Sequence, residues 1–528
     1  ISEFMSFRIP RVVTILSCFF IIVFILGLRL SYRIIRRISI YGRGYIGNGE
    51  RAIIIGAGAC GQLLIEEIRK DESFNYKIVG LIDDNPNKNH TYLKGIKVLG
   101  NRNDILDIVK ETKVTTIFLA IPSMRPDEKS KILEICKEAK AKVKIVPSFY
   151  ESIDSGIDLK QVRDVDLKDL LGREEVQLDK SGISDYLTNK VVLVTGGGGS
   201  IGSELCRQIA TFNPKKLLIL DIYENNAYDL QNELTRKFPK VNKEVIIASV
   251  RDKMRLEEIF EQYRPEVVFH AAAHKHVPLM EGSPQEAIKN NVKGTLNVAE
   301  CADKYESDKF VMISTDKAVN PTNVMGATKR LCEMIVQAIN IRSKTDFVAV
   351  RFGNVLGSNG SVIPLFQKQI SEGGPVTLTH RDIVRYFMLI PEAAQLVLQA
   401  GTYAKGGEIF VLDMGKPVKI YDLAINLIKL SGFEPFKDID IKITGLRPGE
   451  KLYEELLMDE EGLEKTAHKK IFIGKPANFD LDKLKEEIEE INNIAIQGDN
   501  DLIRAKLKSI VPTYTNLEEK EVAIEKDE

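Results

Sequence analysis

The chain has 528 residues, 44% of them hydrophobic and 28% charged, with 37 Gly and 19 Pro, which excludes a single small module and excludes a disordered or fibrous chain. Lys plus Arg number 74 against 75 Asp plus Glu, so there is no basic field for nucleic acid and no such partner is expected. At roughly 150 residues per domain the length corresponds to about three domains, and six dispersed cysteines without a C-x-x-C pair point to a reducing compartment and no metal site.

In chain order, Ile1-Ser2-Glu3-Phe4 ahead of Met5 reads as an expression scar (1–4). Val12 to Leu28 carries no charge, its only polar members being Thr14 and Ser17. At about 1.5 Å per residue this run is roughly 26 Å of helix, enough to span a bilayer core when flanking arginines snorkel. Arg29, Arg33, Arg36 and Arg37 outnumber Arg8 and Arg11 on the other side. Residues 5–48 are therefore expected to form a transmembrane helix and basic juxtamembrane segment in the inner (cytoplasmic) membrane, with the rest of the chain cytoplasmic.

Arg51-Ala-Ile-Ile-Ile55 feeds Gly56-Ala-Gly58-Ala-Cys-Gly61 and a helical pattern, and the next strand ends in Asp83, 22 residues past Gly61. Strand, glycine turn, helix, strand and acid form a dinucleotide-binding unit, because glycines let helix N-terminal amides approach a pyrophosphate. Further strands at 115–120 and 141–146 complete a small Rossmann-like domain over 49–149, whose site is equally well read as empty or regulatory. Residues 150–188 are charged and aperiodic, and are expected to be an ordered connector.

The pattern then restarts more sharply. Lys190-Val-Val-Leu-Val-Thr195 runs into Gly196-Gly-Gly-Gly199-Ser200-Ile201-Gly202 and a helix, and the following strand ends in Asp221, 19 residues after Gly202. Asp221 is expected to take the adenosine ribose 2′-hydroxyl. With no Arg immediately after it, NAD is favoured over NADP. Asp252 is expected to reach the adenine, and the small residues Ala271 and Ala272 after the strand 264–270 let a cofactor lie against backbone. His274 and His276 lack a third ligand at sensible spacing, so no metal is assigned to them. Residues 480–528 are helical, then charged and aperiodic, as in Leu517-Glu-Glu-Lys-Glu, and the end is expected to be a solvated tail.

The Thr-Gly-x-x-Gly-x-x-Gly turn with downstream Ala-Ala-Ala-His resembles the extended short-chain dehydrogenase/reductase superfamily, in which a Tyr-x-x-x-Lys pair moves protons. Here Met325 stands where that tyrosine is expected, four residues before Lys329. Lys329 can hold the nicotinamide ribose, whereas a thioether is no base, so the proton work passes to Thr315, Asp316 and Lys317 at the end of the strand Phe310–Ser314. Residues 190–457 resemble the membrane-bound nucleotide-sugar 4,6-dehydratases of bacterial polysaccharide and glycoprotein synthesis, the CapD-like polysaccharide biosynthesis proteins. The blocks that carry the match are His270-Ala-Ala-Ala-His-Lys-His276-Val-Pro-Leu-Met-Glu281, Thr315-Asp-Lys-Ala-Val-Asn-Pro321, Arg351-Phe-Gly-Asn354-Val-Leu-Gly-Ser, Arg385-Tyr-Phe-Met-Leu-Ile-Pro-Glu392, and Leu446-Arg-Pro-Gly-Glu450-Lys-Leu-Tyr-Glu454. The resemblance also implies that further transmembrane helices precede Arg8.

The expected fold is α/β: an N-terminal transmembrane helix, then two Rossmann-like doubly wound domains, the second (189–475) with a small α/β substrate-binding extension, followed by C-terminal helices and a charged tail (476–528). The implied activity is an NAD-dependent UDP-N-acetylglucosamine 4,6-dehydratase. The alternatives are a UDP-sugar 4-epimerase and a membrane-tethered binding protein without turnover. Lys317 is expected to be the C5 base, its proton loosened by cationic neighbours. Asp316 is expected to be the acid for the C6 hydroxyl, and Thr315 with Lys329 the relay for the C4 hydroxyl. Lys275, Asn354, Arg385, Arg447 and Glu450 are expected to bind the substrate, Arg forks suiting a pyrophosphate and Glu450 the ribose hydroxyls. The expected partners are UDP-N-acetylglucosamine, the lipid bilayer and further copies of the chain in a homo-oligomer.

Overall fold

The computed structural model describes residues 11–41, 49–70, 75–146, 162–165, 169, 178–358, 360–455, 462–474 and 477–515. The scar, Arg8, the side chains of Arg36 and Arg37, much of the connector and the run at Leu517 lie outside the described residues. Ile15–Ile35, within the single helix Arg11–Tyr41, is long and apolar enough to cross a membrane, and its large hydrophobic side chains are exposed. A helix apolar on all sides suits a bilayer.

The rest divides into two compact units, Ile1–Gly172 with Ile428–Glu434, and Arg173–Leu427 with Pro435–Glu528. In the first, strands β1 (Glu50–Ile55), β2 (Tyr76–Ile82), β3 (Tyr92–Leu93), β4 (Ile96–Gly100), β5 (Thr116–Leu119), β6 (Lys142–Ile145) and β7 (Arg163–Asp164) form one sheet in the order β3-β4-β2-β1-β5-β6-β7. Alternation along β1 sends Ile53 and Ile55 into one hydrophobic layer and Ala52 and Ile54 into the other. Helices cover both faces, as doubly wound sheets require. Strand β7 comes from the segment expected to be connector, which is thus partly the edge of the first sheet.

In the second unit β8 (Val191–Thr195), β9 (Lys216–Asp221), β10 (Lys243–Ile247), β11 (Val267–His270), β12 (Lys309–Ile313) and β13 (Asp346–Arg351) are parallel. They continue through β18 (Ile409–Leu412) to antiparallel β22 (Ile471–Gly474) and β21 (Leu463–Lys465), in the order β10-β9-β8-β11-β12-β13-β18-β22-β21. Short pairs build the extension: β14 (Asn354–Leu356) with β17 (Phe387–Leu389), β15 (Val376–Leu378) with β20 (Ile441–Ile443), and β16 (Val384–Arg385) with β19 (Val418–Lys419). The strand order reverses between β8 and β11, which opens the ligand crevice of such sheets at their carboxyl ends.

Two boundaries differ from expectation. Helix Lys180–Leu187, inside the expected connector, buries Ile183 and Leu187 in the second unit's core. The C-terminal helices Leu481–Gln497 and Asn500–Ile510 are part of the same unit: Ile488, Ile491, Ile503 and Leu507 are fully buried in the layer that holds Met325 and Leu331. Their apolar residues recur at helical spacing, and that stripe is covered by the catalytic unit rather than by water.

Candidate active site

The glycine turn after β8 is fixed by close approach. Gly196 has φ +66°, and a Cβ there would lie 2.7 Å from the Ala272 backbone. One on Gly202 would lie 2.1 Å from the Gly196 carbonyl oxygen. Ala271 and Ala272 therefore wall the turn, and only Gly fits at these positions. Helix Ser200–Ala210 starts at Gly199 without a side-chain cap, which suits an anion. Asp221, at the end of β9, accepts from the Gly198 amide at 2.8 Å and the Tyr223 amide at 2.9 Å, so its carboxylate stands beside the turn. A cavity of about 470 Å³, lined among others by Gly198, Ser200, Ser203 and Asn226, opens there. Ile201 packs partly into the core. Asp252 is accounted for differently from the expectation: it is exposed and caps helix Lys253–Tyr263, accepting from the Arg255 amide at 3.0 Å.

At the crevice, buried His270 bridges Thr195 (2.8 Å to Nδ1) and Thr295 (3.0 Å to Nε2), joining β8, β11 and helix Gly294–Lys304. Burial and the Lys329 charge push its pKa down to about 3, so the ring is neutral. Lys329 is 5% exposed and has no hydrogen-bond acceptor or ion-pair partner among the described residues. A buried ammonium left in that condition is poised for a polar ligand group. Met325, one turn earlier, is 3% exposed within the hydrophobic layer. Its part is packing, and it is removed from the catalytic set.

Thr315, Asp316 and Lys317 form a tight turn after β12. Thr315 caps it and donates to Asp316 Oδ1 at 2.9 Å. Lys317 Nζ lies 3.0 Å from the same oxygen and 3.3 Å from Asn354 Oδ1, and its second carboxylate is Glu454, at 3.5 Å. Asp316 Oδ2 is buried without a partner, the orphaned atom of the cluster. Burial pushes the Asp316 carboxyl above its ordinary value even against the Lys317 charge. Burial also works against the Lys317 ammonium, but Asp316 and Glu454 outweigh it and the pKa is raised. In the protein alone the carboxylates beside Lys317 hold its proton more tightly than the sequence reading expected, with Arg385 working the other way.

Two predicted substrate residues are likewise committed to protein. Arg385 donates to the carbonyls of Val384 (2.8 Å) and Leu452 (3.2 Å), and pairs with Glu450 at 3.5 Å and Glu454 at 3.6 Å. Glu450 accepts from Thr379 at 3.2 Å and the Arg447 amide at 3.2 Å. They clamp the loop that presents Arg447, whose exposed guanidinium has no protein partner among the described residues. Lys275 is exposed on the loop after β11. That loop is held by Asn291, on a π-helical turn (Ile288–Lys293), which accepts from the His274 amide at 2.8 Å and donates to its carbonyl at 3.0 Å. The segment after the Thr315–Lys317 turn and the Arg447 loop are stitched together: the Gly449 carbonyl accepts from Thr322 (3.0 Å) and Asn323 (3.2 Å), and Lys451 donates to the Val319 carbonyl at 3.2 Å.

Sequence reasoning missed Glu454, Asn291 and the buried ion pair behind the turn. Glu333, fully buried, accepts from Ser314 at 2.7 Å and is held by Arg351 at 2.6 and 2.7 Å and by Arg330 at 3.0 Å. Burial alone would raise its carboxyl, but the two guanidiniums hold it down at about 2. A charge amid Leu331-Cys332 and Met334-Ile335, and an Arg ending the apolar strand Val348-Ala349-Val350, were the readable signals.

The first unit repeats the cradle. A Cβ on Gly61 would lie 2.1 Å from the Gly56 carbonyl oxygen, and Asp83 accepts from the Ala57 amide at 2.8 Å. Here Lys88 sits on the acid, 2.9 Å away, beside a cavity of about 320 Å³ lined by Asp83, Asp84, Asn101 and Arg102.

Glycine turn, acid, crevice lysine and strand order together define an extended short-chain dehydrogenase/reductase. The chain belongs to the polysaccharide biosynthesis protein family, whose model matches residues 192–476; residues 3–147 match a CoA-binding domain. It is 48% identical to the capsular polysaccharide biosynthesis protein CapD of Staphylococcus aureus, over 89% of this chain and 78% of that protein. It is 32% identical to a UDP-N-acetylglucosamine 4,6-dehydratase (inverting) of Campylobacter jejuni, over 62% of this chain and 98% of that one. Pen from Bacillus thuringiensis has a similar solved structure, with TM-score 0.51 and 34% identity, covering 58% of this chain and 99% of that chain. The family's work is nucleotide-sugar dehydration or epimerisation in polysaccharide biosynthesis.

Proposed function

We propose that the chain is a membrane-anchored UDP-N-acetylglucosamine 4,6-dehydratase that forms a UDP-4-keto-6-deoxy sugar. The observation that carries this reading is the buried Asp316–Lys317 pair with its orphaned Oδ2 at the carboxyl edge of the sheet. An epimerase transfers hydride at C4 alone and has no need of an acid–base pair for C5 and C6. The similarity to the Campylobacter dehydratase supports the same choice.

Bound NAD would supply the hydride acceptor for C4 and the hydride donor for C6. The residues for it are the turn Gly196–Gly202, Asp221 and Lys329, whose tight backbone, acid and unpartnered ammonium fit pyrophosphate and ribose groups. The proton account closes through the turn and solvent. One N–H bond of Lys317 breaks as an O–H bond forms on Asp316, leaving an amine and a carboxylic acid. The amine takes the C5 proton, which the C4 ketone has made acidic, while Asp316 protonates the departing C6 hydroxyl and water leaves. When C6 is reduced Lys317 returns the proton to C5. The proton of the C4 hydroxyl, released at the oxidation step while Asp316 still carries its own, leaves through Thr315 to solvent, and a solvent proton taken up after C5 has been reprotonated restores Lys317. Arg447 meets the pyrophosphate, and Arg29 and Arg33, which follow the uncharged run Val12–Leu28, favour a cytoplasmic site.

The test is incubation with UDP-N-acetylglucosamine in deuterated water, read by NMR. A 4-keto-6-deoxy product with deuterium at C5 is expected. A 4-epimer without deuterium at C5, or unchanged substrate, overturns the reading. Lys317→Ala is expected to abolish exchange at C5 and to leave NAD bound.

A further inference from the structure

Glu454 has no part in the proton cycle just described, yet it is the most deeply placed carboxylate of the Arg447 loop. Its side chain is 4% exposed and lies between two cations, 3.5 Å from Lys317 Nζ and 3.6 Å from Arg385 Nε. Arg385 is shared with Glu450 and with two carbonyls. The groups that face Lys317 are Asp316 on its own turn, Asn354 on β14 and Glu454 from the loop, with Thr315 on the far side of Asp316 and the Arg385 guanidinium, beyond Glu454, acting against its proton. At 3.5 Å the contact is an ion pair and not a short hydrogen bond, so Glu454 acts on Lys317 by its charge and is not a proton acceptor.

We propose that Glu454 is a positioning residue that retains the working proton: by sharing the Lys317 ammonium with Asp316, it keeps the Asp316–Lys317 pair singly protonated. The inference rests on the dehydratase reading for its consequence, though not for its physics. Removing the last proton leaves a neutral amine between two carboxylates. That state is penalised by Glu454, and the pair loses its proton only at higher pH than it would alone. The direction in which Lys317 is held agrees. Because Glu454 and Arg447 are on one loop, the segment that presents a phosphate-binding guanidinium also sets the charge of the acid–base pair.

The test is Glu454→Gln in the full chain, with two readings. One is a pH titration of Lys317 by ¹³C NMR of labelled lysine ε-carbons, the signal assigned through Lys317→Arg. The other is the pH profile of kcat. Both midpoints are expected to fall by about one pH unit or more, with Glu454→Asp in between and NAD content unchanged. A Lys317 midpoint equal to that of the parent overturns the inference. Where Glu454→Gln does not fold, Glu454→Asp carries the test: a lowered midpoint supports the proposal and an unmoved one overturns it. A lowered midpoint in a chain that never forms the keto product upholds the inference and removes the dehydratase reading.

Discussion

Asp316 and Lys317 show how much a single contact decides. Spacing at the end of a central strand picks out both residues, because polar side chains at that edge have little folding reason to be there. Which way their protons lean was not readable, since it depends on Glu454, which lies 137 residues beyond Lys317 in sequence and meets it only through the folded loop. Asp316→Asn removes the transferable proton and is expected to lower kcat by about 10² to 10⁴. C4 oxidation would still be visible as reduced nicotinamide absorbance. At the turn, Gly202→Ala forces a methyl group against the Gly196 carbonyl oxygen. It is expected to cost about 1–3 kcal/mol in denaturant titration and to lower the bound NAD measured after purification. The position of Asp221 beside the glycine turn, by contrast, was legible from chain spacing alone, because strand, turn and helix fix the distance between glycine and acid.

Among the elements, the strand–turn–helix from β12 through Val324–Asn340 depends on a charge inside the core. Glu333 holds Ser314, next to the catalytic turn, and Arg351 at the end of β13. Glu333→Gln strands Arg351 in an apolar interior and is expected to destabilise the unit by about 3–5 kcal/mol in equilibrium unfolding. Activity should fall only with the folded fraction. The strands and glycine turns were legible because their periodicity and spacing are local. The docking of the two C-terminal helices was not, since an amphipathic stripe announces that something covers it without saying what. Arg504 on the last helix donates to the Glu281 carbonyl at 2.7 Å, and the Glu281 carboxylate caps Val324 at 2.6 Å. That chain of contacts carries the helix pair's influence to the start of the Lys329 helix.

For the molecule as a whole, two fully buried groups contribute to its response to acid. His270 binds no proton in the folded state until pH falls to about 3, whereas the unfolded chain takes one near 6.5. Its contribution to stability is present above the unfolded value and is lost progressively as pH falls through that window, on the order of 4 kcal/mol in all. Glu333 is ionised in the fold down to about 2 against 4.5 unfolded, so its contribution disappears at still lower pH. Unfolding free energy is therefore expected to decline steadily below pH 6.5. His270→Gln should flatten the upper part of that decline, as measured by denaturant titration at a series of pH values. The division into two nucleotide-fold units was legible because the same strand–glycine–helix–acid grammar occurs twice. Their boundaries were not, because an edge strand and a packing helix are hidden in the charged stretch between them.

The buried C-terminal pair also sets an order of events during synthesis. The layer beneath Met325 and Lys329 includes Val511 and Tyr514, and the Thr515 amide donates to the Pro321 carbonyl beside the catalytic turn at 3.0 Å. A chain leaving the ribosome completes the sheet of its first unit early, since that sheet is local in sequence, and Ile428–Glu434 joins the unit later. That layer stays open until Tyr514 has emerged, so the nascent chain spends most of its translation with an unfinished candidate site and exposed apolar surface. It is the stage at which a chaperone has most to cover.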